Sequence, residues 1–432
     1  MFTQRGIVFP LTLIMMMILT SLTLGLLSLS ALEPAISRNL GDAAQARFAA
    51  EAGIEWAFDV ISGTQDWDTL LTGANATTGV TMVTSGTIGD LVAARGTYAV
   101  QVRNDNQTAD PAITGVTPVD ASATDDQNGV MIVTSTGVAG TATRTVRVAV
   151  KRLTFPPGLF PAALAFPGNE AEVTFSGNAF EVDGRGWHTD GTLDAGCSSV
   201  YGISVSTELP TSAPGANEAV VEAALSFQQK DNVRGKKQDP SGLDEGNNTI
   251  APDPVLTPSY IQNFINKAKE AADITLISQQ PDGLSFNNIG STCASDYGSQ
   301  TCWGTASAPK VVYIKGDPDP TSMFSALRLS GNTEGHGILV VEDGDLRISG
   351  NFLWHGPIIV TGQWVGVGFL GGGHQAVYGA LISNETAVDP GFREGVVTGN
   401  AKVRYSCDAL NQALTARKLT SIANWKELAP GE

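Results

Sequence analysis

Two histidines in this chain stand at equivalent places in repeated units. The units LSGNTEGHGILVV and ISGNFLWHGPIIV align without gaps at a spacing of 19, which brings His336 and His355 into correspondence. Neutral imidazoles stacked on one face, with a carboxylate nearby, are donors that a transition metal takes. His374 lies another 19 residues on but fits the next unit, AVYGALIS around Gly379, less well. Like residues stack routinely in repeat folds, so packing is the expectation and no metal ligand or cofactor is assigned.

The other candidate groups read more simply as structure. Glu342, Asp343 and Asp345 in VEDGDLR offer an acid and a base, but a glycosidase needs two carboxyls held apart across a bond. Asp343-Gly344 reads as a turn between strands. Asp105, Asp110, Asp120, Asp125 and Asp126 crowd one loop without the spacing of a calcium loop. The run Gly368–His374 lacks the Lys-Ser/Thr of a phosphate cradle, and GxSxG and HExxH are absent. Trp187, Trp303, Trp354 and Trp364 suit a core or rim before a sugar platform. No catalytic residue is assigned, and the chain is expected not to be an enzyme.

Four cysteines, Cys197, Cys293, Cys302 and Cys407, all follow the apolar N-terminal segment. An even number in an exported domain reads as two disulfides. Three pairings are open, as are four free thiols. Cys293–Cys302 with Cys197–Cys407 is preferred because the first closes a short polar loop. The formal net charge of −17 argues against a nucleic-acid partner.

The elements that position these groups follow from periodicity. Ser-Gly-Asn recurs at Ser176–Asn178, Ser330–Asn332 and Ser349–Asn351, with Thr398–Asn400 as a variant. Short β runs and Gly/Asn corners near a 20-residue period predict a parallel β-helix, each unit one stacked coil. The early SGNAFEVDG coil is expected beside the later ones. GANEAVVEAALSFQQ and PSYIQNFINKAKEAA have helical periodicity, so residues 207–290 read as an insertion on that solenoid. FPPGLFP, from Phe155, marks a boundary. Before it, YAVQVR, GVMIVTSTG and TVRVAVK alternate as strands of a small antiparallel sheet, and residues 62–96 read as a loop-rich lead-in.

The N-terminus anchors all of this. Ile7 to Leu32 is 26 residues without a charge. A helix of that length reaches roughly 39 Å, more than the roughly 30 Å of a hydrocarbon core. A secretory signal core is shorter. Helical character then continues through Ile36, Leu40, Ala44, Phe48, Ala52, Trp56 and Val60, a band widened by Ala50, Ile54, Ala57 and Ile61. Pro34 is expected to kink the helix and Gly63 to stop it. Arg5 and the terminal amine favour a cytoplasmic N-terminus.

A short leader ending in Arg5-Gly6, then a hydrophobic helix with an amphipathic continuation, resembles the class III leader and helix of type IV pilins and pseudopilins. RNLGDAAQARFAAEAGIEWA is similar to the PilX-type N-terminal domain of pilus-assembly proteins. The resemblance covers residues 1 to 61 and implies cleavage after Gly6, with a methylated Ile7 as the first mature residue. Most pilins carry Glu at the fifth mature position, where it meets a neighbour's terminal amine; here that position is Leu11. K-type minor pseudopilins also lack this Glu, so Leu11 implies a minor or tip subunit.

The expected fold class is α+β. Its parts are a leader (1–6), a long membrane helix (7–61), a small antiparallel β domain (62–152), a β-helix (153–407) and a helical cap (408–432). The expected role is a non-enzymatic accessory or minor pilin-like protein of type IV pilus assembly. It would cross the bacterial inner membrane once, with a periplasmic head. Its partners would be other pilins through the helix, the inner membrane, and a surface or glycan ligand through the head. The alternative is a tethered surface β-helix that binds or cleaves polysaccharide.

Overall fold

A computed structural model describes residues 8–87, 96–156, 158–168, 173–207, 218–236, 249–278, 283–317, 326–370, 372–387 and 395–429. The fold is mixed α+β: an apolar N-terminal helix, an antiparallel sheet and two parallel sheets. The chain divides into two compact units.

The first unit comprises 1–60, 68–150 and 422–432. Its helix is part of one element, Val8–Gly63, that runs through Pro34. Its sheet is antiparallel, in the order Val80–Thr87, Gly96–Asn104, Val130–Ala139, Ala142–Arg152, Thr420–Leu428. Two strands differ from expectation. Val80–Thr87 lies in the stretch read as a lead-in; most of its residues stay at least partly exposed, and its register slips twice, so no alternation betrays it. Among its described residues the tail is helical over Cys407–Ala413 and in a 3-10 turn at Arg417–Leu419, and Thr420–Leu428 is a strand rather than a cap. Its inner residues are exposed, so its pattern carries no core signal.

The face by which the helix meets this sheet also differs from the four-residue band. Phe48 of that band is 64% exposed and Ala46 and Ala49 outside it are fully buried, while Ala50, Ile54 and Ala57, expected to widen the band, are buried as read. Close approach explains the choice. A Cβ on Gly137 would lie 2.0 Å from the Ala46 carbonyl oxygen and 2.4 Å from the Ala50 nitrogen. A Cβ on Gly53 would meet the Ser135 hydroxyl at 2.2 Å. Helix and strand thus touch backbone to backbone, and only small residues at helical spacing fit.

The second unit comprises 61–67 and 151–421. Its larger parallel sheet has Gln375–Glu385, Asn351–Gly362, Asn332–Glu342 and Lys310–Lys315 as consecutive neighbours. On the other side of Gln375–Glu385 come Ala162–Phe166 and Tyr201–Ser206. The smaller sheet runs Leu284–Asn287, Leu327–Ser330, Leu346–Ile348, Val367–Phe369, Gly395–Thr398, Val173–Ser176. The chain passes from one sheet to the other and back, and the early Val173–Ser176 and Glu181–Asp183 pair with the late Gly395–Thr398 and Ala401–Tyr405.

The described parts of residues 207–290 are not a separate decoration. The helices Glu218–Ala224 and Pro258–Glu270 are there, but Ile250–Asp253, Ile274–Ile277 and Leu284–Asn287 join the parallel sheets. Each is only four residues long, too short for its alternation to stand out beside the helices.

The apolar runs of the larger sheet are continuous because both faces are covered. Leu339, Val341, Ile358 and Val360 face the core between the sheets, while Ile338, Val340 and Ile359 join Ile261, Phe264 and Leu410 beneath the helices. Gly337, Gly356 and Gly379 stack as a column with φ of 124°, 130° and 144°. A Cβ on Gly356 would lie 2.0 Å from the Gly337 oxygen, so each strand bends at the same place where only glycine fits.

Replacing Gly137 by Ala tests the backbone seat of the first unit. Overpacking against backbone cannot relax by side-chain rotation, so Gly137→Ala is expected to cost about 1–3 kcal/mol in urea unfolding of the detergent-solubilised chain. An unchanged unfolding midpoint would refute that contact.

Candidate functional site

The column just before those glycines is a continuous row of polar and aromatic side chains. Followed across parallel strands it reads His336, His355, Tyr378, Arg404, Asp183 and Arg234. The first three rings are nearly parallel, with centroids 4.4 Å and then 5.6 Å apart. Arg404 donates to the Tyr378 hydroxyl at 3.1 Å, pairs with Glu181 at 2.8 Å and lies 3.7 Å above the Trp187 ring. His374 lies outside this column, because Tyr378 takes the place opposite His355.

The histidine end is electrostatically distinct. His355 is 5% exposed, and burial, aided by the neighbouring His336, pushes its pKa down to about 4. The Nδ1 atoms of His336 and His355 are buried without a hydrogen-bond partner. Glu334 Oε1 stands 3.5 Å from His336 Nε2. Among the described residues, two groups have ligand atoms all within 4.8 Å of one another: Glu334, His336 and His355, and His188, Asp194 and Asp408. In the second group His188 Nδ1 already shares a 2.6 Å hydrogen bond with Asp408, which raises the His188 pKa.

The carboxylates weighed for catalysis are engaged elsewhere. Glu342 is bonded by Tyr313 and Gln262 and paired with Lys269 and Lys315. Burial pushes its pKa up, but the Tyr313 hydrogen bond and Lys315 outweigh that and hold it below the usual value. Asp343 sits at a turn with φ of 57° and pairs with Lys315. Asp345 accepts from the Gly366 nitrogen at 3.0 Å and lies 3.7 Å from Arg347. Trp303 and Trp354 are fully buried and Trp187 is 9% exposed, so none of these three forms an open platform. The run at Gly368–His374 includes Gly371, which lies outside the described residues.

The acidic loop of the first unit staples itself together. Arg103 grips Asp110 through two bonds of 2.6 and 2.7 Å. Asp126 accepts from the Gly129 and Val130 nitrogens, and Asp105 from Asn128. Burial, with Asp120 close by, pushes Asp126 up to about 7 and Asp105 up to about 6.

The cysteines form two disulfides, Cys197–Cys407 and Cys293–Cys302. Gly6 and Ile7 lie outside the described residues. Leu11 is 58% exposed on the long helix, amid apolar side chains exposed from Val8 to Leu40. That helix is long and apolar enough to cross a membrane. The Arg404–Trp187 continuation of the column lies outside the repeat units that the sequence shows. For Tyr378 the signal is the VYG of AVYGALIS aligned with WHG.

No family model and no curated protein matches the chain, so the PilX-type resemblance rests on its N-terminal residues alone. Among solved structures, the crystal structure of the competence-associated pilin ComZ from Thermus thermophilus aligns over 90% of this chain and 98% of that chain. The identity is 11% and the TM-score 0.22, a score that does not establish a common fold.

Asp126 gives a pH test. Unfolded, its carboxyl ionises near 3.8; folded, near 7. Between those values the native state holds the extra proton, so stability falls as pH rises through that window. Asp126→Asn keeps an acceptor for Gly129 and Val130 and removes the titration. It is expected to stabilise the chain at pH 8 by about 2 kcal/mol, discounted for the shared field of Asp105 and Asp120, and to change little at pH 4. Urea unfolding at the two pH values checks this; equal effects at both would contradict it.

Proposed function

We propose that this chain is a non-enzymatic, membrane-anchored accessory protein of a type IV pilus or a related filament, of the minor-pilin kind. Its N-terminal helix associates with sibling helices in the inner membrane. Its outer part is a parallel β-helix that presents a docking or adhesive surface, placed at the filament tip by the lack of a pilin Glu at Leu11. The N-terminus stays cytoplasmic before assembly and the head faces the periplasm.

One observation carries the reading. The 56-residue helix has two different surfaces along its length. Its first part exposes apolar side chains throughout, while its later part seats a fully buried stripe of alanines on a small antiparallel sheet. A rod half in lipid and half packed on a head is the architecture that the resemblance to pilins implies. The β-helix reading is supported by alternation between two parallel sheets, by strand registers offset 19 and 23 residues, and by the glycine column. The engagement of Glu342, Asp343 and Asp345 favours a structural role over polysaccharide cleavage.

Processing and assembly test this together. In a piliated host, mass spectrometry of the chain recovered from sheared filaments is expected to find a methylated Ile7 as the first residue. An intact Met1, with the chain absent from the filaments, would overturn the proposal.

A further inference from the structure

The histidine end of the polar column does more than a packed stack requires. Phenylalanine or leucine would fill the same space without desolvating a ring nitrogen. Here two buried Nδ1 atoms lack any hydrogen-bond partner, on a pair of residues of which His355 is 95% buried. A neutral imidazole carries one donor and one acceptor, so whichever tautomer is present leaves a buried polar atom unpaired on each ring, which folding alone gives no reason to accept. Beside them stands a carboxylate whose side chain is 61% exposed, which supplies both charge and a path from solvent.

We propose that Glu334, His336 and His355 form a binding site for one divalent zinc-class ion. Two imidazoles and one carboxylate are a donor set that zinc takes, with water completing the tetrahedron. Imidazole donors select zinc, copper or nickel over calcium and magnesium. One nitrogen of each ring and one oxygen of Glu334 already lie within 4.8 Å of one another. Bonds of about 2.0–2.1 Å set neighbouring donors roughly 3.4 Å apart, so binding turns the two rings out of their parallel stack. The strands hold both Cα atoms in register, and the ordering cost is limited to side-chain rotation. The His188 group is the weaker candidate, because its Nδ1 is already committed to Asp408.

The test uses the full-length chain in detergent, stripped with a chelator. Zn2+ is titrated against a chromophoric competitor, and Co2+ is added to read visible d–d absorption. One ion per chain is expected, with a tetrahedral Co2+ band. His336→Phe and His355→Phe keep an aromatic stack and are each expected to weaken Zn2+ binding by more than about 100-fold, beyond the 10–100-fold typical of supporting residues. Glu334→Gln, at an exposed position where folding is not at issue, is expected to weaken it about tenfold, and His188→Asn to leave it unchanged. Near-UV circular dichroism checks that the phenylalanine variants fold. Absence of the Co2+ band overturns the site. So does Zn2+ binding that survives both ring replacements or is lost in His188→Asn. If the ring variants misfold, undiminished affinity in Glu334→Gln overturns it alone.

Discussion

The structure depends on where one helix can put its side chains. From Val8 to Leu32, sixteen large apolar residues are exposed, each by 47% or more. Burying a side chain of that kind is worth about 1.5–3 kcal/mol, so leaving all of them in water is not a stable arrangement. No charge interrupts the run, and the helix pairs its own backbone groups, which is what lipid demands of a spanning segment. Thr12, Thr20, Ser21 and Thr23 return their hydroxyls to carbonyls three or four residues back, so these four polar side chains are satisfied locally as well. Past Gly41 the demand reverses. There the helix gains stability by touching a sheet, and it does so through alanines and glycines because the strand comes in at backbone distance.

The second unit answers a different constraint, that of holding many parallel strands in one register. Its apolar runs face two cores at once, so a slip of one residue would exchange the two faces. The glycine column resists such a slip, since Gly337, Gly356 and Gly379 occupy places that no side chain tolerates. The polar column beside it inherits that register. His336, His355, Tyr378 and Arg404 come together because the strands that bear them have nowhere else to sit.

Much of this was legible in the residues. The long helix is announced by an uncharged run that few soluble segments match. The strand pairs at 19-residue offset are announced by LSGNTEGHGILVV against ISGNFLWHGPIIV, down to the His336–His355 correspondence. What was not legible has physical reasons. Strands such as Val80–Thr87 and Thr420–Leu428 are exposed along most of their length and leave no hydrophobic alternation. Phe48 fits a four-residue band in sequence, yet close packing favours Ala46 and Ala49 over a bulkier neighbour. The seating of Arg404 on Trp187 and Glu181 joins positions more than 200 residues apart, which no local pattern encodes.

The central claim is that the exposed oily half of the helix resides in lipid. Alkaline carbonate extraction of membranes from a strain expressing the full chain, followed by flotation on a density gradient, tests it most directly. The chain is expected to float with the bilayer after carbonate treatment, and to be released when two leucines near the middle of the run, Leu19 and Leu22, are both replaced by Arg. Full release of the unaltered chain into the supernatant would contradict the account.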